Sequence, residues 1–438
     1  MKAIDRLIFA AWIIPMTSDN EVILTDHAIA IHHGLILDIL PANQARDLYQ
    51  ATHQDYLADH VLIPGLINAH THSPMTLFRG LADDLPLMTW LNEHIWPAEA
   101  KWVNELFIKE GTQLAIAEMI RGGVTCFNDM YFYPDITARE ATKAGMRAVV
   151  GLIMIDFPSQ WADNTEDYIN KGLHVFKENI NNPLINCAFA PHAPYTVSDE
   201  PLLKIKTLAD ELEIPIHIHL HETQDEINHS LENYQKRPLQ RFADLGLLNP
   251  NLTAVHMVHL ENNEIEQIAK AGVHIVHCPQ SNLKLASGFC PVDKLQKAGV
   301  NIALGTDGAS SNNDLDCFAE MQTAAMLAKA VANDASALPA YQALQMATIN
   351  GAKALGIADK TGSLEKGKSA DICAVKLNTL ESVPLFNPIS QLVYACSRHQ
   401  VTDVWVRGEV LLKNRQLTTL DEADLIAKAQ AWAMKIRT

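Results

Sequence analysis

Residues 61–72 read VLIPGLINAHTH, an apolar run that ends in His70 and His72. The apolar residues predict a buried β-strand over Val61–Asn68, with both imidazoles at its carboxyl end. Two histidines separated by one residue point to the same face of a strand, where they could share a metal ion. Because the chain contains 19 histidines among 438 residues, such pairs also arise by chance. The pair indicates a metal site only through its position at the end of a predicted strand.

The same arrangement recurs along the chain, with a histidine or an acidic residue directly after an apolar segment. The later examples are His192, His219, His256 and Asp307. The strands of a parallel barrel present their carboxyl ends at one mouth, so these residues are expected to converge there. Three imidazoles and one carboxylate suit a divalent metal ion and leave room for the water that it activates.

Eight apolar segments separated by helical stretches predict the barrel itself. The predicted strands are Val61–Asn68, Val124–Asn128, Arg147–Ile153, Ile185–Ala190, Ile214–Leu220, Leu252–His256, His274–His277 and Ile302–Gly305. The helical stretches include Glu105–Arg121, Asp199–Glu211 and Asn263–Ala271. This alternation indicates an α/β fold, a (β/α)8 barrel of the TIM type, over residues 61–362.

The two ends of the chain have a different, turn-rich β character. It covers residues 1–60 and returns beyond Gly362. We predict that residues 1–60 and 363–438 together form one small β-sandwich domain beside the barrel. A helix over residues 421–437, capped by Asp421, is predicted to end the chain.

Composition and charge limit the classes of function. A formal net charge of -17 argues against nonspecific binding to nucleic acid and against attraction to anionic membranes, but not against a nucleoside pocket. The seven cysteines are scattered and form no Cys-x-x-Cys motif, which fits a reducing cytoplasm. The apolar run Leu7–Met16 is too short to span a bilayer and lacks a cleavage site, so it is predicted as a strand. The oligomeric state stays open, and a homo-oligomer is compatible with the sequence.

Several segments resemble those of the amidohydrolase superfamily, most closely its methylthioadenosine/S-adenosylhomocysteine deaminase branch within the chlorohydrolase-related group. The resemblance covers essentially the whole chain and is most specific at residues 277–288, HCPQSNLKLASG. The other segments that carry it are Pro64–Met75, Ala190–Tyr195, His219–Thr223 and Leu304–Asn312. It implies metal-dependent hydrolytic deamination of an adenosine-type nucleoside. The expected reaction converts 5′-methylthioadenosine to 5′-methylthioinosine and ammonia, with adenosine as a further substrate.

The resemblance also implies roles for individual residues. The implied ligands of one divalent metal ion are His70, His72, His219 and Asp307. The ion is expected to be Zn²⁺, while Fe²⁺ and Mn²⁺ suit the same ligands. The implied catalytic residues are Glu222, His256 and Asp307. The implied substrate contacts are Trp90, Glu99, His192 and Glu222, with Glu99 accepting hydrogen bonds from the ribose hydroxyls.

One ambiguity lies in the fifth strand. His217 and His221 share a face with His219 in a regular strand, and a shift of register would exchange them. Only His219 has the spacing to Glu222 that the family's His-x-x-Glu element requires, so His219 is favoured. The alternative interpretation of Glu222 itself is an exposed residue in the first turn of a helix.

The residue types allow a specific mechanism. Asp307 could take a proton from the metal-activated water, while His256 orients that water. Glu222 could protonate the ring nitrogen beside the carbon under attack if burial raises its pKa.

Two-metal members of the superfamily commonly carry a bridging lysine at the end of the fourth strand. Residues 185–192 contain no lysine, so one metal ion is expected, and a two-metal cyclic amidase is disfavoured.

The segment Ser73–Trp102 is long for a loop after a strand and is predicted to form a lid or pocket wall. It contains Trp90 and Glu99.

Relatives that deaminate S-adenosylhomocysteine use arginines beyond the third strand to meet the amino-acid carboxylate. No arginine occurs between Arg147, whose role is open, and Arg237. Weaker use of S-adenosylhomocysteine than of methylthioadenosine is therefore expected.

Two alternatives stay open at this point. The same residues could deaminate or dechlorinate another heterocycle, such as guanine, 8-oxoguanine, cytosine or a triazine. A different class of protein is a catalytically inactive barrel that acts as a binding subunit. The complete set of metal-binding and proton-transfer residues argues against that class.

Overall fold

Strands alternate with helices through the middle of the chain, and strands dominate both ends. The computed structural model describes residues 1–17 and 20–437. The strands are β1 (Lys2–Ile13), β2 (Leu24–His32), β3 (Leu35–Pro41), β4 (Tyr49–Pro64), β5 (Leu66–Thr71), β6 (Val124–Asp129), β7 (Arg147–Met154), β8 (Ile185–Pro191), β9 (Ile216–Leu220), β10 (Leu252–His256), β11 (His274–His277), β12 (Ile302–Leu304), β13 (Ile372–Lys376), β14 (Val401–Val406), β15 (Glu409–Lys413) and β16 (Gln416–Leu417).

The helices divide into a barrel set and a few short turns. They are α1 (Ala42–Leu48), α2 (Leu87–Thr89), α3 (Trp96–Trp102), α4 (Glu105–Arg121), α5 (Pro134–Ala144), α6 (Thr165–Asn179), α7 (Asp199–Leu212), α8 (Gln224–Tyr234), α9 (Pro238–Asp244), α10 (Asn262–Ala271), α11 (Pro279–Lys284), α12 (Val292–Lys297), α13 (Cys317–Ala332), α14 (Ala340–Met346), α15 (Ile349–Ala354), α16 (Pro388–Tyr394) and α17 (Glu422–Ile436). Two 3-10 turns cover Ser73–Phe78 and Arg398–Gln400, and a π-helical turn covers Trp90–Ile95. Among the described residues, none of these helices has the length and apolar character needed to cross a membrane.

Strands β5 to β12 form one parallel sheet in which each strand pairs with the next along the chain. The amide of Asp307, just after β12, donates to the carbonyl of His70 in β5 at 3.0 Å. The last strand therefore lies beside the first. The predicted eight-stranded parallel barrel is confirmed.

The first barrel strand begins later than the sequence suggests. The run predicted as one strand over Val61–Asn68 is divided, because β4 continues to Pro64 in another sheet and β5 begins at Leu66. Gly65 lies between them, so close to Thr125 that a β-carbon would come within 2.1 Å of its side chain. The prediction of a single strand is wrong, since an apolar run does not show where its residues change partner strands.

The two ends of the chain share a second sheet, as the sequence predicts. Its strand order is β16-β15-β14-β13-β4-β1-β2-β3, so all of its strands are joined in one mixed sheet. Leu35 in β3 bridges to Ser369 just before β13, which shows that the sheet curls back on itself. The curled sheet encloses an apolar core of its own that includes Ile8, Ile29 and Trp405. The domain limits at residues 60/61 and 362/363 stay a prediction.

The terminal helix α17 is confirmed at its predicted place. The carboxylate of Asp421 caps it by accepting hydrogen bonds from the amides of Ala423 and Asp424. The helix packs against α4 of the barrel, where Nε1 of Trp432 donates to Glu110 at 2.7 Å.

A buried ion pair ties the terminal sheet to the barrel. Arg147 begins β7, and its Nε donates at 2.9 Å to Oδ2 of Asp371, which directly precedes β13. The same guanidinium donates to the carbonyl of Pro183 and to the hydroxyl of Ser369. Both charged side chains are at most 1% exposed. The role that the sequence leaves open for Arg147 is therefore structural.

We expect Arg147→Met to lower the free energy of unfolding by about 3–5 kcal/mol, because it leaves the buried carboxylate of Asp371 without its partner. Chemical denaturation followed by circular dichroism measures the change. Lys206→Met is the matched control, since it breaks only the exposed ion pair to Asp210 and should change stability little. Equal stability of Arg147→Met and the unaltered protein would show that the buried pair is dispensable.

Candidate metal centre and substrate pocket

Four side chains at the carboxyl ends of barrel strands converge on one point. His70 lies in β5 with His72 just after it, His219 lies in β9, and Asp307 follows β12. Their ligand atoms all lie within 4.8 Å of one another, and we call this group the ligand cluster. Oδ1 of Asp307 is 3.3 Å from Nε2 of His70 and 3.2 Å from Nε2 of His72. Nε2 of His219 is 3.1 Å from Nε2 of His70. Three nitrogens and one oxygen at this spacing could hold a metal ion.

The second ring nitrogen is held by a hydrogen bond in two of these histidines. Nδ1 of His72 donates to the carbonyl of Met130 at 2.6 Å, and Nδ1 of His219 donates to the carbonyl of His192 at 2.7 Å. Because a carbonyl oxygen can only accept, both Nδ1 atoms carry a proton. In the neutral form of each ring, the lone pair of Nε2 is then directed at the cluster, and this is the tautomer that a metal ion requires.

Asp307 is held at both carboxylate oxygens. Oδ1 faces His70 and His72, while Oδ2 accepts hydrogen bonds from Ser281 and Ser311 at 2.7 and 2.9 Å. Burial favours the neutral acid, but the hydrogen bonds to the two histidines hold the pKa of Asp307 well below its usual range. An ionised carboxylate among imidazoles supplies the negative charge that favours a bound cation.

The two histidines beside His219 lie outside the ligand cluster. His217 points into the barrel, where its Nε2 lies 2.8 Å from Nδ1 of His70. His221 follows the end of β9 with φ 55° and donates from Nδ1 to the carbonyl of His259 at 2.9 Å. Alternate residues of a strand share a face, so His217 and His219 both point inward, but only His219 reaches the end of the strand.

Glu222 stands between the ligand cluster and α8. It precedes the N-cap residue Thr223 and is 7% exposed, so it is not an exposed first-turn residue. Glu226 accepts hydrogen bonds from the amides of His221 and Glu222 at 2.8 and 2.9 Å, which holds this turn in place. Burial raises the pKa of Glu222. A buried carboxyl group of this kind is suited to carry a proton near neutral pH.

His256, at the end of β10, lies beside both Glu222 and the ligand cluster. Its Nδ1 donates to Oδ1 of Asn282 at 2.8 Å, and its Nε2 lies 3.9 Å from Oε2 of Glu222. Its ring stacks on that of His219 with the centroids 5.5 Å apart. Nε2 is therefore the nitrogen that His256 offers to a molecule in the site.

A pocket opens onto the ligand cluster. Of the nine residues implicated from the sequence, eight line it: His72, Trp90, Glu99, His192, His219, Glu222, His256 and Asp307. The ninth, His70, is fully buried behind them. The structure thus brings the whole set together around one space.

The segment predicted as a lid forms one wall of the pocket through the turn Trp90–Ile95 and α3. Trp90 is 6% exposed, and its Nε1 donates to the carbonyl of Ala82 at 3.1 Å, so a ligand meets its ring and not its N–H group. Trp102 is directed elsewhere, edge-on to Trp432 of α17 with the ring centroids 6.5 Å apart.

The wall near the end of β7 is apolar. Ile153, Ile155 and Phe157 line the pocket there. Within the part of the chain that the structure describes, no lysine or arginine belongs to the lining, whereas three acidic residues do. The pocket therefore favours neutral ligands over anionic ones.

Sequence reasoning missed several polar residues around the site. Tyr131 lines the pocket two residues after β6, and Ser281, Asn282 and Ser311 hold Asp307 or His256. The rule that found His192, a polar residue just after a barrel strand, would also have found Tyr131. The two serines and the asparagine carry no such signal, because none of them directly follows a barrel strand.

Comparison with known proteins agrees with this geometry. Residues 61–411 match the family described as Amidohydrolase family. A Teredinibacter turnerae protein named 5-methylthioadenosine/S-adenosylhomocysteine deaminase is 50% identical over 433 residues, 99% of this chain and 98% of the relative. A Methanosphaera stadtmanae protein named 5'-deoxyadenosine deaminase is 43% identical over 376 residues, 86% of this chain and 88% of the relative. The zinc-bound crystal structure of an adenosine deaminase from Xanthomonas campestris is 50% identical with a TM-score of 0.98, covering 100% of this chain and 99% of that one. The chain belongs to the amidohydrolase family.

Proposed function

We propose that the protein is a metal-dependent deaminase of an adenosine-type nucleoside. Its leading substrate is 5′-methylthioadenosine, which it hydrolyses to 5′-methylthioinosine and ammonia. The ligand cluster supports this most directly, because it lies in a pocket that also holds Glu222 and His256. Relatives that are 50% and 43% identical are named as deaminases of 5-methylthioadenosine and S-adenosylhomocysteine, and of 5'-deoxyadenosine.

The ligand cluster is the proposed site of one divalent ion. Zinc is favoured because the Xanthomonas campestris structure, at 50% identity, contains zinc, although Fe²⁺ and Mn²⁺ suit the same ligand types. When bound, the ion lowers the pKa of water and so supplies a nucleophile near neutral pH. The absence of a lysine from β8 (INCAFAP) supports a single ion.

Glu222, His256 and Asp307 are the proposed proton-transfer residues. Glu222 donates a proton to the ring nitrogen beside the carbon under attack, and the C–N bond breaks as the protonated amine leaves as ammonia. His256 orients the attacking water through Nε2. Asp307 takes one proton of that water and passes it to the exocyclic amine, and the ionised Glu222 recovers the other proton from the new hydroxyl group.

Glu99, Trp90 and His192 are the proposed contacts to the nucleoside. The carboxylate of Glu99 can accept two hydrogen bonds from a vicinal diol. Trp90 offers an apolar ring face to the base or sugar. Nδ1 of His192 pairs with the hydroxyl of Thr196 at 3.0 Å, which leaves Nε2 for the substrate. Burial lowers the pKa of His192 to about 3, so this ring is neutral.

Another aminated heterocycle is the nearest alternative substrate, because the ligand cluster and Glu222 would serve it equally well. A carboxylate at Glu99, beside the apolar ring of Trp90, favours a ribosylated substrate over a free base. An inactive barrel is disfavoured, since a binding subunit has no need for a buried acid next to a ligand cluster.

We propose a cytoplasmic location for the enzyme. All seven cysteines are free and buried, as expected of a chain that folds in a reducing compartment. The net charge of -17 disfavours nucleic acid and anionic membranes as partners, which leaves the small-molecule substrate.

Zinc-loaded protein should deaminate 5′-methylthioadenosine, measured by the ultraviolet change from adenine to hypoxanthine. A chelator should abolish the activity and added zinc should restore it, because the nucleophile depends on the ion. Adenosine, S-adenosylhomocysteine and guanine serve as parallel substrates. One bound ion without turnover of any of them would reject the nucleoside and direct the search to triazines. Failure to bind any ion would reject the metal site.

Glu222→Gln should lower kcat by roughly 10²–10⁴-fold without changing the metal content, because glutamine keeps the shape but cannot transfer the proton. Steady-state kinetics and metal analysis provide the two readouts. In the unaltered enzyme kcat should fall as the pH rises through the raised pKa of Glu222, since the ionised form has no proton to donate. Glu232→Gln, on the exposed face of α8, which follows Glu222, is the control and should leave kcat unchanged. An undiminished kcat in Glu222→Gln would exclude it as the proton carrier.

The enzyme should have a kcat/KM for 5′-methylthioadenosine at least about tenfold above that for S-adenosylhomocysteine, because the described pocket lining has no lysine or arginine to meet the amino-acid carboxylate. Phe157→Arg places a cation at the half-exposed end of the apolar wall. It should lower the ratio of the kcat/KM for 5′-methylthioadenosine to that for S-adenosylhomocysteine. Phe157→Met is the control for lost aromatic area. A higher kcat/KM for S-adenosylhomocysteine in the unaltered enzyme would contradict the expectation.

A further inference from the structure

A hydrogen bond connects the lid to the rim of the barrel inside the pocket. The hydroxyl of Tyr131 donates to Oε1 of Glu99 at 2.6 Å. Glu99 belongs to α3 in the lid, and Tyr131 follows β6 in the barrel. Both side chains line the pocket, so the bond lies next to the space that a ligand would occupy.

Tyr131 is suited to act as a fixed donor. It is 5% exposed, and its ring packs against Phe132 and near His72, with centroids 5.3 and 6.3 Å away. Burial raises the pKa of Tyr131 well above its usual range, so the hydroxyl keeps its proton. A buried aromatic ring with two side-chain torsions holds its hydroxyl in a narrow range of positions.

The two oxygens of Glu99 are in different situations. Within residues 1–17 and 20–437, Tyr131 is the protein group that donates to Oε1, and no protein group donates to Oε2. Burial raises the pKa of Glu99 to about 7, and the hydrogen bond from Tyr131 opposes that rise. The bond thus favours the ionised form, in which Oε2 accepts hydrogen bonds only.

We propose that Tyr131 is a positioning residue for sugar recognition. By holding Oε1 of Glu99, it directs Oε2 to a vicinal diol and makes the pocket prefer ribonucleosides to nucleosides without 2′ and 3′ hydroxyls. The identity of the ligand as a nucleoside rests on the function proposed above. The preference for a diol rests on the contact between the two side chains.

The test compares ligands that differ only in the diol. Inosine and 2′,3′-dideoxyinosine have the same base and are not consumed, so calorimetric titration of zinc-loaded protein reports binding alone. Adenosine and 2′,3′-dideoxyadenosine report turnover. Tyr131→Phe should raise the Kd of inosine and the KM of adenosine roughly tenfold, because an oriented bond to a charged group is lost. Both dideoxy ligands and kcat should change less than about twofold.

Two further variants separate orientation of Glu99 from general packing. On a Glu99→Ala background, Tyr131→Phe should have no further effect on inosine, since its action passes through the carboxylate. Tyr133→Phe removes a hydroxyl two residues away, which donates to the carbonyl of Gln160 at 2.7 Å outside the pocket lining. This control should leave both ligands unaffected.

Three results would overturn the proposal. They are an unaltered protein that binds inosine no more tightly than dideoxyinosine, a Tyr131→Phe variant that weakens both ligands equally, and one that weakens neither. The proposed function fails by a different result, the absence of turnover in the unaltered enzyme. The binding comparison still decides the role of Tyr131 in that case.

Discussion

The backbone hydrogen bond from Asp307 to His70 joins the last barrel strand to the first, and the whole site depends on this closure. Asn68 reinforces it, because its side chain accepts from the amide of Thr306 and donates to the hydroxyl of the same residue. The approach is so close that a β-carbon at Gly305 would lie 2.8 Å from His70. Closure brings the carboxylate of the last strand end to the histidines of the first, which no local structure could do.

Around this junction, the surroundings of each ionisable group determine its state of protonation. Hydrogen bonds to carbonyl groups fix the tautomers of His72 and His219, and the nearby imidazoles keep Asp307 ionised. Glu222 has a more distant imidazole neighbour, with Nε2 of His256 3.9 Å from its Oε2, and burial raises its pKa. In the proposed mechanism, these two carboxyl groups of one pocket act as a metal ligand and as a proton carrier, so that one site supplies both acid and base.

The site combines a rigid floor with a wall of lower regularity. The floor consists of strand ends in a closed barrel, which the buried pair of Arg147 and Asp371 connects to the terminal sheet. The wall consists of short helical turns that carry Trp90 and Glu99. In the proposed function, the rigid part carries out the chemistry and the wall selects the ligand. Barrels permit this division because their loops vary without disturbing the strands.

The sequence by itself determined the number of barrel strands, the convergence of their polar ends and the residue types of the ligand cluster. Each of these follows from a local pattern of a few residues, because the spacing of apolar residues and the length of an apolar run predict where a strand lies and where it ends. Tertiary structure alone decided that the chain changes sheets at Gly65, that His219 and not its neighbours reaches the cluster, and that Arg147 pairs with Asp371. It also decided that Tyr131 holds Glu99. These features depend on contacts between residues far apart in the chain. Barrel closure and side-chain direction determine such contacts, and local periodicity encodes neither of the two.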